Sequence, residues 1–335
     1  MLCSILCVMS ILCCPACRGA LDEADEGLAC AACGVVYRVE RCSADFTREE
    51  GLDEAATRQR DIYEGRLAGQ GVGAFLDPEV ARNLTDTYVE AARSGYVLAP
   101  NWLGLEYRRA LERLAPFPGE RVLDVGCSTG SMLSAIGAAF GTTGTGIDFS
   151  VGAVRLAVEY NPLGNEYHVA DALNLPFADG SFDVVVSFGV IEHVSDPERM
   201  VGEVVRVLAP GGRALIYTTC RRSRWTWHWW QRLTSGGRYH LGVDDLAGHD
   251  PETFLLPEEL EGMFLASGME RAQTVVVHTL YSLMLDEAFP GMVPALLAKP
   301  RLLSPVSRAI ELADALLNDR AYGNEFLALA WKEAS

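Results

Sequence analysis

From Arg121 onward the chain alternates between short, continuously apolar runs and longer amphipathic ones. "RVLDVG", "TGTGIDF", "EYHVAD" and "FDVVVSFG" stay apolar through consecutive positions, as strands buried on both faces do. Between and after them, residues 131–140, 151–159 and 197–208 carry helical patterns. In the last, Val201, Val204, Val205 and Leu208 fall on an inner face, with Glu203 and Arg206 expected outside. Pro210-Gly211-Gly212 stops that helix, and "RALIYTT" starts a fifth strand. "LPEELEGMFLASGM" then predicts a helix with Leu260, Met263, Phe264 and Ser267 at helical spacing, while "ERAQTVVVH" and "NEFLALAWKE" predict a sixth and seventh strand. Such alternation builds an α/β fold with a mostly parallel sheet covered on both faces. Its ligands sit beyond the C-terminal ends of the strands.

The flanking segments follow other patterns. Residues 43–118 predict a helical connector: a charged stretch, a break at Gly69, Gly71 and Gly73, then the amphipathic "PEVARNLTDTYVEAA" and "NWLGLEYRRALERLA". Residues 220–250 and 279–323 interrupt the core pattern as insertions, the second mostly helical and set with four prolines. Residues 1–11 are apolar without a Lys or Arg, too short to span a bilayer and without a signal peptide's charged front. They read as a disordered tail or a start-site extension, and the chain is expected in the cytoplasm. The net charge of -17, from 28 Lys and Arg against 45 Asp and Glu, argues against a bulk polyphosphate partner.

Four cysteines stand out by spacing. Cys14-x2-Cys17 and Cys30-x2-Cys33, twelve residues apart, suit a tetrahedral Zn2+ held by four thiolates. With no coordination position left open, that metal is structural. All six histidines lie beyond residue 160, so the site is all-cysteine. Residues 12–42 are too few to build a hydrophobic core, and metal is expected to stabilise them. Two disulfides in a secreted chain are the competing reading, and nothing upstream resembles a secretory signal. "CPACRGAL" and "LACAACGVVYRV" resemble the two knuckles of the small Trm112-like zinc ribbon that often precedes methyltransferase domains. At the exit, Val39-Glu40-Arg41-Cys42 departs from that family's usual turn.

The loop "VLDVGCSTGS" closes the first strand of the sheet. No Gly-Lys-Ser/Thr follows, which excludes a Walker A loop, and Ser128 stands where a dinucleotide fingerprint has its middle glycine. Asp124, two residues before Gly126, is ill placed for a pyrophosphate and well placed for an ammonium or sulfonium-bearing amino acid. Asp148 closes the next strand, 24 residues later, where a carboxylate can accept two ribose hydroxyls. The implied ligand is a nucleoside with a cationic, phosphate-free tail; S-adenosyl-L-methionine fits. "RVLDVGCSTG", "GIDFS", "VADALNLPFADGSFDVVVSFGVIEHVSD" and "EVVRVLAPGGRALI" resemble the class I methyltransferases. The nearest branch is the methyltransferase type 11 one, which includes ubiquinone and menaquinone biosynthesis enzymes. The resemblance implies a seven-stranded Rossmann-like sheet whose last strand runs antiparallel at the sheet edge. It implies that Asp124 and Gly126 frame the methionine part, Asp148 holds the ribose, and Asp171 faces the adenine amino group between Ala172 and Phe149. Cys127, Ser128, Gly130 and Phe188 complete the cofactor set, Cys127 as a small buried thiol.

The methyl acceptor leaves fewer traces. His193, just past the fourth strand and preceded by Glu192, is the candidate base; it reads equally well as a structural group, with Glu192 fixing its ring. Residues 220–242 hold four tryptophans and five arginines, a local reversal of charge. Trp225, Trp229, Arg221, Arg224, Tyr239 and His240 are the lid candidates there. An interfacial membrane helix and an RNA-stacking surface compete with a lid, but the tryptophans do not share one helical face. The leading expectation is an enzyme acting on a small apolar or aromatic metabolite. The alternatives are an RNA base methyltransferase and a non-catalytic adaptor. Against RNA, residues 14–36 carry Asp22, Glu23, Asp25 and Glu26 but one arginine, Arg18. The 279–323 insertion suits either the substrate pocket or a homodimer interface.

Overall fold

The computed structural model describes residues 11–25, 27–47, 57, 60–61, 76–94, 105–161, 163–222, 253–277, 309, 313 and 325–334. Four short strands come first: β1 (Leu21–Ala24), β2 (Gly27–Cys30), β3 (Val36–Glu40) and β4 (Ser43–Ala44). They pair in sequence order as an antiparallel sheet. That sheet runs two residues past the exit expected at 42. Two helices follow among the described residues, α1 (Pro78–Ser94) and α2 (Leu105–Leu114). α1 packs on the sheet domain, with Thr85 Oγ1 3.0 Å from Ser131 Oγ.

The main sheet is built from β5 (Val122–Val125), β6 (Gly144–Asp148), β7 (Glu166–Val169), β8 (Phe182–Phe188), β9 (Leu208–Thr219), β10 (Arg271–Val277) and β11 (Glu325–Trp331). Its order is β10-β11-β9-β8-β5-β6-β7. β5 to β9 run parallel, and β11 is antiparallel to both of its neighbours. The seventh strand therefore lies one place in from the edge, not at it. Burial explains this: β11 is buried at every position but its last, whereas β10 is mostly half-exposed and fits the edge.

The covering helices are α3 (Ser131–Phe140), α4 (Val151–Glu159), α5 (Pro197–Val207) and α6 (Pro257–Ala266). α5 ends at Val207, so Leu208, expected in the helix, opens β9. Glu203, expected on the outer face of α5, is buried at 8% exposure. The reason is that the N-terminal sheet lies against this face. Leu12, Leu21, Leu28, Tyr37 and Phe46 join the cluster of buried residues on that side of the main sheet, together with Val125, Phe177 and Val204. The ribbon segment thus borrows a core from its neighbour, which its own length could not supply.

Candidate functional site

The loop after β5 folds as its sequence demands. Gly126 and Gly130 have φ of 82° and 79°. A Cβ on Gly126 would overlap the Val190 side chain, and one on Gly130 would stand 2.7 Å from Tyr167 Cζ. Ser128 also takes a left-handed φ of 48°. Its amide donates to Asp148 Oδ2 at 2.8 Å, while the Ser150 amide donates to Asp148 Oδ1 at 2.8 Å. Asp148 thereby ties the loop to the start of α4. An ionised carboxylate has about four acceptor positions, so these two amides alone do not exhaust it.

Asp124 is buried at 1% exposure, and its Oδ2 has no hydrogen-bond partner. Burial, reinforced by the Asp148 charge, pushes its carboxyl up to about 8. A buried acid in that state invites a cation. Cys127 is buried too, and its thiol is held well above the ordinary range, first by burial and then by Asp148 and Asp124. That thiol stays protonated and packs; it does not attack.

The next loop adjoins this one. The Ala170 amide donates to Asp148 O at 3.0 Å, and Asp171 starts a turn in which its Oδ1 accepts from the Leu173 amide at 2.8 Å. Ala172 and Phe149 are half-buried. Arg60, which sequence patterning did not single out, places its guanidinium 5.8 Å from the Phe149 ring centre. Phe188 on β8 and Tyr217 on β9 place their ring centres 6.4 Å apart. A short 3-10 turn, Ile191–His193, follows β8. Glu192 is buried and accepts from Thr218 Oγ1 at 3.0 Å, and its carbonyl accepts from Thr253 Oγ1 at 2.6 Å. His193 is half-buried at the end of that turn. Arg221 is drawn to Glu259 on α6 in an ion pair. Trp225, Trp229, Arg224, Tyr239 and His240 lie outside the described residues.

The thiols of Cys14, Cys17, Cys30 and Cys33 all lie within 4.8 Å of one another and could hold a metal ion. Cys14 and Cys33 are 3.7 Å apart, and Cys17 and Cys30 3.4 Å. A tetrahedral ion with Zn–S bonds of about 2.3 Å requires edges of about 3.8 Å, so the donor set fits. Tyr37 Oη lies 3.1 Å from Cys14 Sγ and would donate to it as a thiolate.

Where the two sheets meet, Phe46 N donates to Val169 O at 2.7 Å and Cys13 N to Pro176 O at 2.9 Å. Ala44 N donates to His168 Nδ1 at 3.2 Å, and burial lowers that imidazole to about 4. The contacts at 168–178 come from residues more than 100 positions away in the chain. No short-range pattern could have shown them.

Comparison with known proteins agrees with this geometry. A family profile described as a methyltransferase domain matches residues 123–216, and one described as Trm112p-like protein matches residues 7–41. The chain is 31% identical to a ubiquinone biosynthesis O-methyltransferase of Psychrobacter arcticus over 224 residues, covering 64% of this chain and 82% of that protein. It is 34% identical to one from Ralstonia nicotianae over 173 residues, 49% of this chain and 68% of that protein. A solved structure of phosphoethanolamine N-methyltransferase 2 from Haemonchus contortus, in complex with S-adenosyl-L-methionine, shares the fold. Its TM-score is 0.53 at 19% identity, over 85% of this chain and 61% of that one.

Proposed function

We propose, for a chain that belongs to the class I S-adenosylmethionine-dependent methyltransferases and carries a Trm112-like N-terminal domain, transfer of a methyl group to a small aromatic or apolar metabolite. The observation that carries the site reading is the buried Asp124 at the end of β5, whose Oδ2 has no hydrogen-bond partner and whose carboxyl burial pushes up to about 8. It gives up its proton as the cofactor's cationic methionine end arrives and becomes that end's counter-charge. Asp148 accepts the two ribose hydroxyls, and the 171–172 turn with Phe149 bounds the adenine. Cys14, Cys17, Cys30 and Cys33 hold Zn2+, a thiolate site suited to a reducing compartment such as the cytoplasm.

The cofactor supplies an activated methyl on a sulfonium, and displacement needs alignment and the exclusion of water. Phe188, among the residues expected to hold the cofactor, and Tyr217 form an apolar wall near the transfer point. The ubiquinone-biosynthesis relatives are O-methyltransferases by name, which puts a hydroxyl first among acceptors. His193, at the mouth, takes the proton that such a hydroxyl loses. Glu192 is turned toward Thr218 and braces the turn that carries His193. A metabolite is favoured over RNA because β1 exposes Asp22 and Glu23 on the ribbon, a surface that repels phosphates.

Two experiments test this. Asp148→Ala should weaken S-adenosylmethionine binding by about a hundredfold, as loss of two charge-assisted hydrogen bonds implies; unchanged affinity in calorimetry overturns the ribose assignment. Supplied with labelled cofactor, phenolic acceptors and total RNA, the chain should label the phenolic fraction, and label confined to RNA contradicts the substrate class.

A further inference from the structure

One side chain connects the thiol cluster to the cofactor cleft. Arg18 sits between Cys17 and Gly19 with φ of 63°, a backbone state that a residue with a Cβ rarely adopts. Its amide donates to Cys14 O at 2.7 Å, closing a turn around two of the thiols. Its guanidinium leaves the ribbon altogether. Nη1 donates to Leu175 O at 2.7 Å, and Nη2 donates to both oxygens of Glu203 at 2.7 Å. Glu203 in turn accepts the Leu175 amide at 2.8 Å. Leu175 is thus gripped at both main-chain groups, at the far end of the turn that Asp171 begins.

Arg206 shares the work but is divided. It bonds Leu175 O at 3.1 Å, and it also serves Phe177 O and Asp179. Burial alone would raise the Glu203 carboxyl, but Arg206 and Arg18 outweigh it and hold the group below its usual value, ionised. The carboxylate can therefore act as the relay between the ribbon and the turn.

We propose that Arg18 is a positioning residue for the cofactor site: it fixes the 171–175 turn and links the geometry of that turn to metal occupancy of the four-cysteine cluster. Cofactor affinity then depends on the ribbon's metal. This rests on the assignment of Asp171 and Ala172 to the adenine end. Arg18 can reach Leu175 only while the knuckle that carries it is folded, and the thiolates hold that knuckle only around a cation.

The test is calorimetric binding of S-adenosylhomocysteine to the full chain and to Arg18→Ala, Arg18→Lys and Asp148→Ala, with Zn2+ bound and after chelation. Arg18→Ala should weaken binding about tenfold, within the range of coupling carried through packed networks. Arg18→Lys, which keeps the charge but not the fork, should recover part of that loss. Chelation should weaken the unmodified chain by a similar factor and add little to Arg18→Ala, since both cut one link. Hydrogen exchange at the Leu175 amide should quicken in Arg18→Ala. Unchanged affinity in Arg18→Ala, or chelation that weakens it as strongly as the unmodified chain, overturns the proposal. If the chelated chain unfolds, the Ala and Lys variants with metal bound decide alone. Should Asp148→Ala lose binding while Arg18→Ala keeps it, this proposal alone fails; should both keep it, the cofactor site falls and the proposal with it.

Discussion

The two ends of the cleft are held by different parts of the molecule. The segment proposed to face the acceptor, from Phe188 to His193, is braced by its own sheet, through Thr218 on β9 and by Thr253 just before α6. The segment proposed to hold the adenine, from His168 to Phe177, is braced by the N-terminal domain through Ala44, Phe46, Cys13 and Arg18. A damaged ribbon should therefore disturb cofactor binding first, and a damaged β9 should disturb transfer first. The ribbon is less an appendage than a support for the segment proposed to hold the adenine.

Packing gives the largest expected effect on this contrast. Phe46 is buried at 4% exposure, its ring 5.1 Å from Tyr37 and 6.0 Å from His168. Phe46→Ala should cost about 3–5 kcal/mol of stability, as aromatic deletions from cores do. Denaturant unfolding measures that, and cofactor affinity should fall with it while the 188–193 turn keeps its amide protection. An unaltered affinity would mean that the ribbon's docking has no part in the pocket.

The opposite end can be loosened more gently. Thr218→Val leaves the buried Glu192 carboxylate without that donor, at a cost of about 1–3 kcal/mol. Turnover should drop while S-adenosylhomocysteine affinity stays within about twofold, because Thr218 is not among the residues proposed to hold the cofactor. A larger loss of affinity than of turnover would erase the distinction between the two ends.

Acid should act more weakly, and through opposing groups. His168 titrates near 6.5 when unfolded and at about 4 when folded, since burial opposes its charge. Between these values the unfolded chain binds the extra proton, so this imidazole's contribution to stability falls by about 1–2 kcal/mol from pH 6.5 to 5. The raised carboxyls of Asp124 and Glu166 act in the opposite sense over that range, because there the folded chain holds the extra protons. Followed by thermal unfolding, His168→Phe should therefore gain about 1–2 kcal/mol more than the unmodified chain as pH falls from 6.5 to 5; an equal slope in the two would show that His168 is not the opposing group.

Much of this architecture is legible in the order of residues alone. The glycine loop, Asp124, Asp148 and the four cysteines are each defined by neighbours within a few positions, and local spacing reports such features. The strand pattern points to the fold class for the same reason. What escapes a linear reading is set by tertiary contact. Glu203 reads as a surface residue from the periodicity of α5, because nothing in that helix reveals the ribbon lying against it. His168 reads as one more strand residue, and its partner, the Ala44 amide, is 124 positions away. The place of β11 depends on which of two strands better tolerates an edge, a comparison no single segment contains. The tryptophan-rich segment remains a sequence expectation, since most of it lies outside the described residues.

The central claim is that a buried, protonated carboxyl waits for the cofactor's positive charge. Asp124 is held at about 8 in the folded chain against about 3.8 in an unfolded one. Between these values the folded chain carries one proton more, and its stability falls as pH rises. A bound cation reverses the preference and expels that proton. Titrating S-adenosylmethionine into the protein at pH 7, in two buffers of different ionisation heat, counts the protons released. The account predicts roughly one per cofactor bound, and none in Asp124→Asn. Binding of normal strength with no proton released from the unmodified chain would contradict it.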